Sequence, residues 1–268
     1  MSESPEALRT LEVPVDSVEA VECAAPYADR IELCDDLATE GWTPRESLIR
    51  AARAVSDAQP AGRRPRIIAM IRPRLPESTL ALDAAAFVAT ERIVDASLRE
   101  TAACIDAGAH EIAIGLLDAG GRIDSAACAT LRDAALARGA TVAFLRVFDL
   151  LRDRERGWHD IAALGIGRVL TAGVHGWDAG VASVEERTRV IASDAEAAAR
   201  ACAGARPRPG FVNALQATAI AAGGGVRADN AGQFLRVTPH LHASCRIAGR
   251  ISVAELSALR ARIGGRRE

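Results

Sequence analysis

The chain of 268 residues contains no lysine, and all 33 of its basic side chains are arginine. Without lysine the protein cannot form a Schiff base with a carbonyl substrate or supply the lysine of a P-loop. The 35 acidic side chains bring the net charge to −2, so no positive excess favours nucleic acid or an anionic membrane. We therefore expect neither a nucleic acid nor a membrane as a partner.

Signals of several other protein classes are also missing. The six cysteines include no C-x-x-C pair and are scattered, which argues against a disulfide scaffold and a zinc ribbon: Cys23, Cys34, Cys104, Cys128, Cys202 and Cys245. The opening residues MSESPEALRT lack an apolar core, and no run of about 18 apolar residues is free of charge. We expect a cytoplasmic protein with reduced thiols and no signal peptide or membrane span.

Short apolar runs alternate with longer helical stretches along the chain. The eight predicted strands cover 11–15, 30–34, 66–71, 110–115, 141–147, 167–172, 218–223 and 239–244. Helices are predicted between them, at 45–57, 83–107, 124–138, 183–203, 228–235 and 253–263. This alternation indicates parallel strands with right-handed crossovers.

The length and the eight repeated units fit an α/β fold, a single (β/α)8 barrel of the TIM type over residues 1–268. We expect frayed tails at 1–9 and 264–268. A doubly wound open sheet is the alternative, but no G-x-G-x-x-G motif follows the first strand. The segment 206–216 is either a linker or an extra strand.

Two helix starts can be predicted from capping residues. Asp124 precedes an apolar-periodic run and is a typical N-cap residue. Ser252 is followed three residues later by Glu255, the spacing of a capping box that opens the last helix.

Polar side chains gather at the carboxyl ends of the predicted strands, where barrels place their sites. Because side chains on a strand alternate between faces, Glu32 and Cys34 point into the barrel. The alternation gives these candidate catalytic residues: Glu12, Glu32, Arg72, Arg74, Arg146, Asp149, Thr171 and His242. They form either a pocket for an anionic ligand or Glu–Arg pairs that only close the barrel. In both cases we expect Glu32 to pair with Arg72, Arg74 or Arg146.

A glycine run follows the seventh predicted strand and leads into a predicted helix. Backbone N–H groups at such a run, together with a helix N-terminus, can hold a phosphate or a carboxylate. The candidate anion-binding residues are therefore Gly223, Gly224, Gly225 and Arg227. A tight turn that needs positive φ explains the glycines equally well.

Nine segments of the chain, taken in order, resemble the CutC-type copper homeostasis family from about residue 11 to 246. They are LEVPVDSVEAV, ADRIELC, EGWTP, MIRPR, GLLDAGGRID, FLRVFD, RVLTAG, AAGGGVRADN and HLHASC. The resemblance implies a cytoplasmic (β/α)8 barrel that self-associates as a homodimer or larger homo-oligomer. It also implies a role in copper handling, by binding Cu(I) at the barrel mouth or by supporting copper tolerance.

The candidate catalytic residues, Cys34 and the glycine run match polar positions of the family pattern, but the chain also departs from that pattern. Leu145 stands where the family has histidine, and Val15 stands where many members have cysteine. The loop after Arg74 reads LPESTLALD where the family has a Gly-Gly-Asp-Phe loop with a nearby tyrosine. These departures bear on any shared catalysis and on a copper site like that of the family.

Two hypotheses about the ligand follow. Cu(I) needs two or three soft ligands, and the sequence places only the Cys34 thiol and the His242 imidazole at the mouth. The alternative is an enzyme or binding protein for a small phosphorylated or carboxylated metabolite, held by the arginines and the glycine run. Cys34 is also a candidate nucleophile, although Glu32 and Asp35 would raise the pKa of its thiol.

Overall fold

A computed structural model describes residues 8–76, 78–204 and 218–264. Its central feature is a closed barrel of eight parallel strands in sequential order. The strands are β1 (Thr10–Val15), β2 (Arg30–Leu33), β3 (Arg66–Met70), β4 (Glu111–Ile114), β5 (Thr141–Phe144), β6 (Arg168–Thr171), β7 (Ala219–Ala222) and β8 (His240–His242). The barrel closes where β1 pairs with β8, with Glu12 opposite His242. The predicted TIM-type barrel is confirmed, and the open sheet is excluded.

Helices surround this barrel, and a short hairpin follows the last barrel strand. The described α-helices are α1 (Val18–Ala24), α2 (Glu46–Asp57), α3 (Glu91–Asp106), α4 (Ser125–Leu136), α5 (Arg154–Leu164), α6 (Val184–Gly204), α7 (Ala231–Phe234) and α8 (Val253–Ile263). The hairpin consists of β9 (Arg246–Ile247) and β10 (Arg250–Ile251). In the part of the chain that the structure describes, no helix has the length and apolarity that crossing a membrane requires.

The helix predicted over 83–107 is in fact two elements. A 3₁₀ turn covers Ala84–Phe87, and α3 starts anew because the Thr90 hydroxyl accepts a hydrogen bond from the Ile93 amide. Helices α1 and α5 were not among the predicted ones. The segment 206–216 lies outside the described residues, as do most residues of the predicted frayed tails.

Buried ion pairs fill the interior of the barrel near the amino-terminal ends of its strands. Arg30 Nε donates to Glu12 Oε2 at 2.5 Å, and Arg30 Nη2 donates to Glu111 Oε1 at 2.5 Å. Arg168 Nε lies 3.3 Å from the same Glu12 oxygen, an ion pair without hydrogen-bond alignment. Because these side chains are over nine-tenths buried, each charge depends on its partners. This network lies below the site at the barrel mouth and contacts it through Glu12, which pairs with His242.

Candidate functional site

A cavity of about 300 Å³ opens at the carboxyl ends of the strands, the end at which barrels of this class place their sites. The strands contribute Pro14 from β1, Glu32 from β2, Met70 from β3, Leu170 from β6 and His242 from β8. Residues that follow the strands supply the rest of the lining, including Arg72, Phe87, Leu145, Arg146, Trp177 and Arg246. Glu40 also lines it, so the cavity combines two acids, an imidazole, guanidinium groups and aromatic rings.

His242 lies between two buried carboxyl groups. Its Nδ1 is 2.8 Å from Glu12 Oε1, and its Nε2 is 3.9 Å from Glu32 Oε2. Burial favours the neutral form of Glu12, but Arg168, Arg30 and His242 outweigh it and hold the pKa of Glu12 well below its usual range. An ionised Glu12 accepts the Nδ1 hydrogen, so the Nε2 atom is the one that faces Glu32.

Glu32 differs from Glu12 in its protonation. Burial raises the pKa of Glu32 to about 7, with His242 opposing the shift and Glu12 adding to it. Glu32 therefore titrates much nearer to neutral pH than an ordinary glutamate, which suits a residue that gives and takes protons.

The predicted pairing of Glu32 with Arg72, Arg74 or Arg146 is wrong. The guanidinium next to Glu32 on the inner face of β2 belongs to Arg30, and Glu12 and Glu111 engage it fully. None of the three predicted arginines forms an ion pair with Glu32 among the described residues, so its carboxyl group lacks a guanidinium partner.

The predicted arginines have three different environments. Arg72 is buried, donates to the carbonyl oxygens of Thr39, Gly41 and Thr79, and stacks 4.2 Å from the Trp42 ring centroid. Arg146 lines the cavity and donates to Asp149 Oδ2 at 3.2 Å. Arg74 is half exposed, pairs with Asp36 and does not line the cavity.

Arg246 is a cavity residue that the sequence analysis missed. It pairs with Asp16 at 2.5 Å and lines the cavity from β9. The sequence could have indicated Arg246, because it directly follows the HLHASC segment.

Asp149 and Thr171 belong to a buried network behind the cavity wall. Asp149 Oδ1 accepts from the Thr171 hydroxyl at 2.5 Å and from Arg154 at 3.2 Å, and its Oδ2 accepts from the Ala172 amide. Arg154 also pairs with Asp194. Neither predicted residue is part of the cavity lining, so their contribution is to hold the end of β6 and the Arg146 guanidinium in place.

The glycine run is both a tight turn and a part of the cavity lining. Gly224 and Gly225 line the cavity with φ of +72° and +81°, a conformation that favours glycine. A Cβ on Gly224 would lie 2.8 Å from Ala172 Cβ. Arg227 is not in the lining, and its amide donates to Asn230 Oδ1 at 2.9 Å.

The Cys34 thiol is fully buried and does not line the cavity. Its Sγ donates to the Val15 carbonyl oxygen at 3.8 Å. Burial, then Glu32 and Asp16, raise the pKa of this thiol far above its usual value, so it is protonated at neutral pH. A protonated, buried thiol does not fit the predicted role of nucleophile.

A pre-formed Cu(I) site does not fit these residues. No cluster of three or more His, Cys, Asp or Glu side chains within residues 8–76, 78–204 and 218–264 is placed to hold a metal ion. Both nitrogens of His242, the other predicted ligand, face carboxyl groups. The Cys34 and Met70 sulfur atoms lie 3.2 and 2.9 Å from the point where a Cβ on Gly41 would stand. They are two soft donors near one point, although only Met70 lines the cavity.

The closed barrel and its mouth define a (β/α)8-barrel protein with a carboxyl–imidazole–carboxyl site beside a ligand-sized cavity. The model of the CutC family matches residues 9–247. The chain belongs to the CutC family, and the resemblance seen in the sequence is confirmed.

Known proteins support this assignment. A CutC protein of Vibrio campbellii is 29% identical over 229 residues, which cover 85% of this chain and 77% of the relative. A CutC protein of Pasteurella multocida is 35% identical over 164 residues, which cover 61% of this chain and 60% of the relative. A solved structure from Streptococcus agalactiae, provisionally described as the copper homeostasis protein CutC, superposes with a TM-score of 0.67 at 21% identity, covering 88% of this chain and 98% of that one.

Barrels with other activities share the fold alone. The tryptophan synthase alpha subunit of Legionella pneumophila superposes with a TM-score of 0.58 at 11% identity, over 95% of this chain and 92% of that one. At that identity the likeness carries no activity over to this chain.

Proposed function

We propose that this chain binds a small phosphorylated or carboxylated molecule in the barrel mouth and transfers a proton on it with Glu32 and His242. The observation that carries the proposal is the environment of the Arg72 side chain. The residue is 8% exposed, lines the cavity and has no carboxylate within ion-pair distance among the described residues. A buried cation of this kind is stabilised when an anion enters the cavity.

The acid–base part of the proposal rests on the two carboxyl groups beside His242. Glu12 stays ionised and orients the imidazole through Nδ1, as a carboxylate does for a general base. Glu32, with a pKa of about 7, can hold or release a proton at neutral pH. The pair suits removal of a proton at one atom of a bound anion and its return at another.

Replacing Arg72 with methionine tests the anion site. A panel of phosphorylated and carboxylated metabolites is screened by thermal shift, and the hits are titrated by calorimetry. We expect Arg72→Met to weaken binding by about 10- to 100-fold, because a charge-assisted hydrogen bond contributes about 1.5–3 kcal/mol.

Arg74→Met is the matched control, since Arg74 lies two residues away but outside the cavity. Its affinities should match those of the wild type. No binding by any anion in the panel, or equal losses in the two variants, would contradict the proposal.

The second candidate function is Cu(I) binding, and the observation that favours it is the pair of sulfur atoms beside Gly41. In that case the Cys34 thiolate and the Met70 thioether are the donors, after a movement of the loop that carries Gly41.

Titration of reduced protein with Cu(I) against a competing chelator tests this. Cys34→Ser and Met70→Leu should each lower the affinity at least about tenfold, as expected for loss of one of two soft ligands. Cys104→Ser, a buried thiol on α3, is the control. Equal affinities in all of these proteins would exclude the site.

We also propose a cytoplasmic location and self-association of the chain. The six free cysteines support a reducing compartment.

A further inference from the structure

The buried arginines fall into two groups. Six arginine side chains are buried within the described residues. Four of them have a carboxylate within ion-pair distance: Arg30, Arg132, Arg154 and Arg168. In the described part of the chain the other two, Arg72 and Arg187, donate only to backbone carbonyl oxygens. Glu40 and Asp149 act on Arg72 and Arg187 only from beyond ion-pair distance. Burying a guanidinium without a direct ion pair is costly, and both of these groups line a cavity at the barrel mouth.

Arg187 lines a second cavity, which we call the outer cleft. It has a volume of about 590 Å³ and is also bordered by Leu82 and Ala182. Several residues line both the outer cleft and the cavity above Glu32, among them Arg146, Trp177, Gly224 and Gly225. The two cavities are therefore adjacent parts of one mouth.

The Arg187 guanidinium is held rigidly at the border of the outer cleft. Its Nε donates to the Ala172 carbonyl oxygen at 2.7 Å and its Nη2 to the Gly223 carbonyl oxygen at 2.6 Å. Its Cζ lies 4.9 Å from the Phe234 ring centroid. The side chain is 4% exposed, and burial, with Arg146 adding, lowers the pKa of Arg187. The position of the charge is thus fixed before any ligand arrives.

The glycine turn lies directly beside this guanidinium. A Cβ on Gly224 would be 3.5 Å from Arg187 Nη2, and a Cβ on Gly225 would meet open space. The amide N–H groups of Gly224 and Gly225 have no acceptor among the residues that the structure describes. Two such amide groups and a fixed cation that line the same cleft are what an oxyanion requires.

Two carboxylates also line the outer cleft, but they act on the charge of a bound ligand more weakly than Arg187 does. Glu40 and Asp178 are both exposed, so water and salt screen their charges. Asp178 Oδ1 also accepts a hydrogen bond from the Gly180 amide. The buried guanidinium, in a less polar environment, dominates the field that a ligand meets.

We infer that Arg187, with the Gly224–Gly225 turn, forms a second anion subsite, and that the ligand carries two anionic groups. One group binds at Arg72, near Glu32 and His242, and the other binds in the outer cleft. The ligand class is a small bis-anion whose distal group is a phosphoryl group or a carboxylate. This inference rests on the proposed function, because it extends the ligand of the same site.

Calorimetric titration at constant ionic strength tests the inference, with inorganic phosphate and a series of straight-chain diol bisphosphates as probes. We expect two phosphate ions per chain but one bisphosphate. A bisphosphate of matching length should bind at least about 100-fold more tightly than phosphate, because the first contact raises the effective concentration of the second group.

Two variants remove the outer subsite in different ways. Arg187→Gln removes the charge, and Ala182→Glu adds a carboxylate to the cleft without touching the buried contacts of Arg187. Each should bind one phosphate ion and lose the advantage of the bisphosphate. Ala182→Gln, the matched control, should behave as the wild type.

The possible failures are distinguishable. If one phosphate ion binds and only Arg72→Met weakens it, the outer subsite is overturned and the proposed function stands. If the bisphosphate keeps its advantage in Ala182→Glu and Arg187→Gln, the distal group binds elsewhere and the inference is wrong. If the wild type binds none of the probes, and no anion of the wider panel, both proposals fail.

Discussion

Replacing Glu12 with glutamine is expected to lower the free energy of unfolding by about 3–5 kcal/mol at pH 7. The carboxylate of Glu12 is the common partner of Arg30, Arg168 and His242 in the barrel interior. A neutral amide cannot balance the guanidinium groups, and burying a charge without its partner is the largest penalty that one substitution can impose here. Urea unfolding of the variant and the wild type measures the loss.

Glu32→Gln is the matched control, because Glu32 is equally buried but forms no ion pair with a guanidinium group in the described part of the chain. Its free energy of unfolding at pH 7 should not fall by more than about 1 kcal/mol, a typical effect of a single substitution. If Glu12→Gln costs less than the control does, the interior ion pairs do not stabilise the barrel.

Raising the pH from 5 to 8 is expected to destabilise the wild type relative to Glu32→Gln by about 3 kcal/mol. The pKa of Glu32 is about 7 in the folded protein, above its value in an unfolded chain. The folded state therefore holds this proton more tightly, and the stabilisation is full below the unfolded pKa and is lost as the pH rises through 7. Since glutamine mimics the neutral carboxyl group, the variant should be the more stable protein at pH 8.

The difference between the two proteins is the quantity to measure, because His240 acts in the opposite direction. Burial, followed by Arg168 and Arg30, lowers the pKa of His240 to about 4. Its contribution to stability is absent at low pH and grows as the pH rises from 4 to about 6.5, the unfolded value. This contribution is present in both proteins and cancels in the difference. Parallel stability curves from pH 5 to 8 would show that Glu32 has an ordinary pKa.

The same desolvation that makes Glu32 a cost to stability makes it suitable for proton transfer. A carboxyl group that is hydrogen-bonded to an arginine, as Glu12 is to Arg30, is fully ionised at neutral pH and a poor acid. The arginines of the mouth instead contact backbone carbonyls, other carboxylates and aromatic rings. The site thus separates the charge that binds an anion from the group that exchanges a proton.

One departure from the family pattern lies in the site itself. Leu145, where the family has histidine, lines the cavity. Val15, where many members have cysteine, is fully buried in β1. In this chain the imidazole of the cavity comes from His242 on β8, and the side chain at the end of β5 contributes only apolar surface.

The sequence by itself determined the order of the elements and the faces of the strands. Eight apolar runs separated by helical stretches could close only as parallel units, and each run became a barrel strand. Helix-capping signals were also reliable, because a cap involves only residues that are close in sequence. Asp124 and Ser252 cap their helices as predicted, although the Glu255 carboxylate accepts from Ala228 rather than completing a capping box.

Only the tertiary structure decided which charges meet. Alternation along a strand fixes the face of a side chain, but not its depth in the barrel or its partner on a strand far away in sequence. Arg30 and Glu111, 81 residues apart, pair because the barrel places β2 and β4 on either side of β3. Arg187 could not be identified because it lies on a helix, and its cavity exists only once the loops after β6 and β7 lie side by side. Burial sets the pKa of Glu32, and it leaves Arg72 and Arg187 without a carboxylate at ion-pair distance among the described residues. It is a property of the packed barrel.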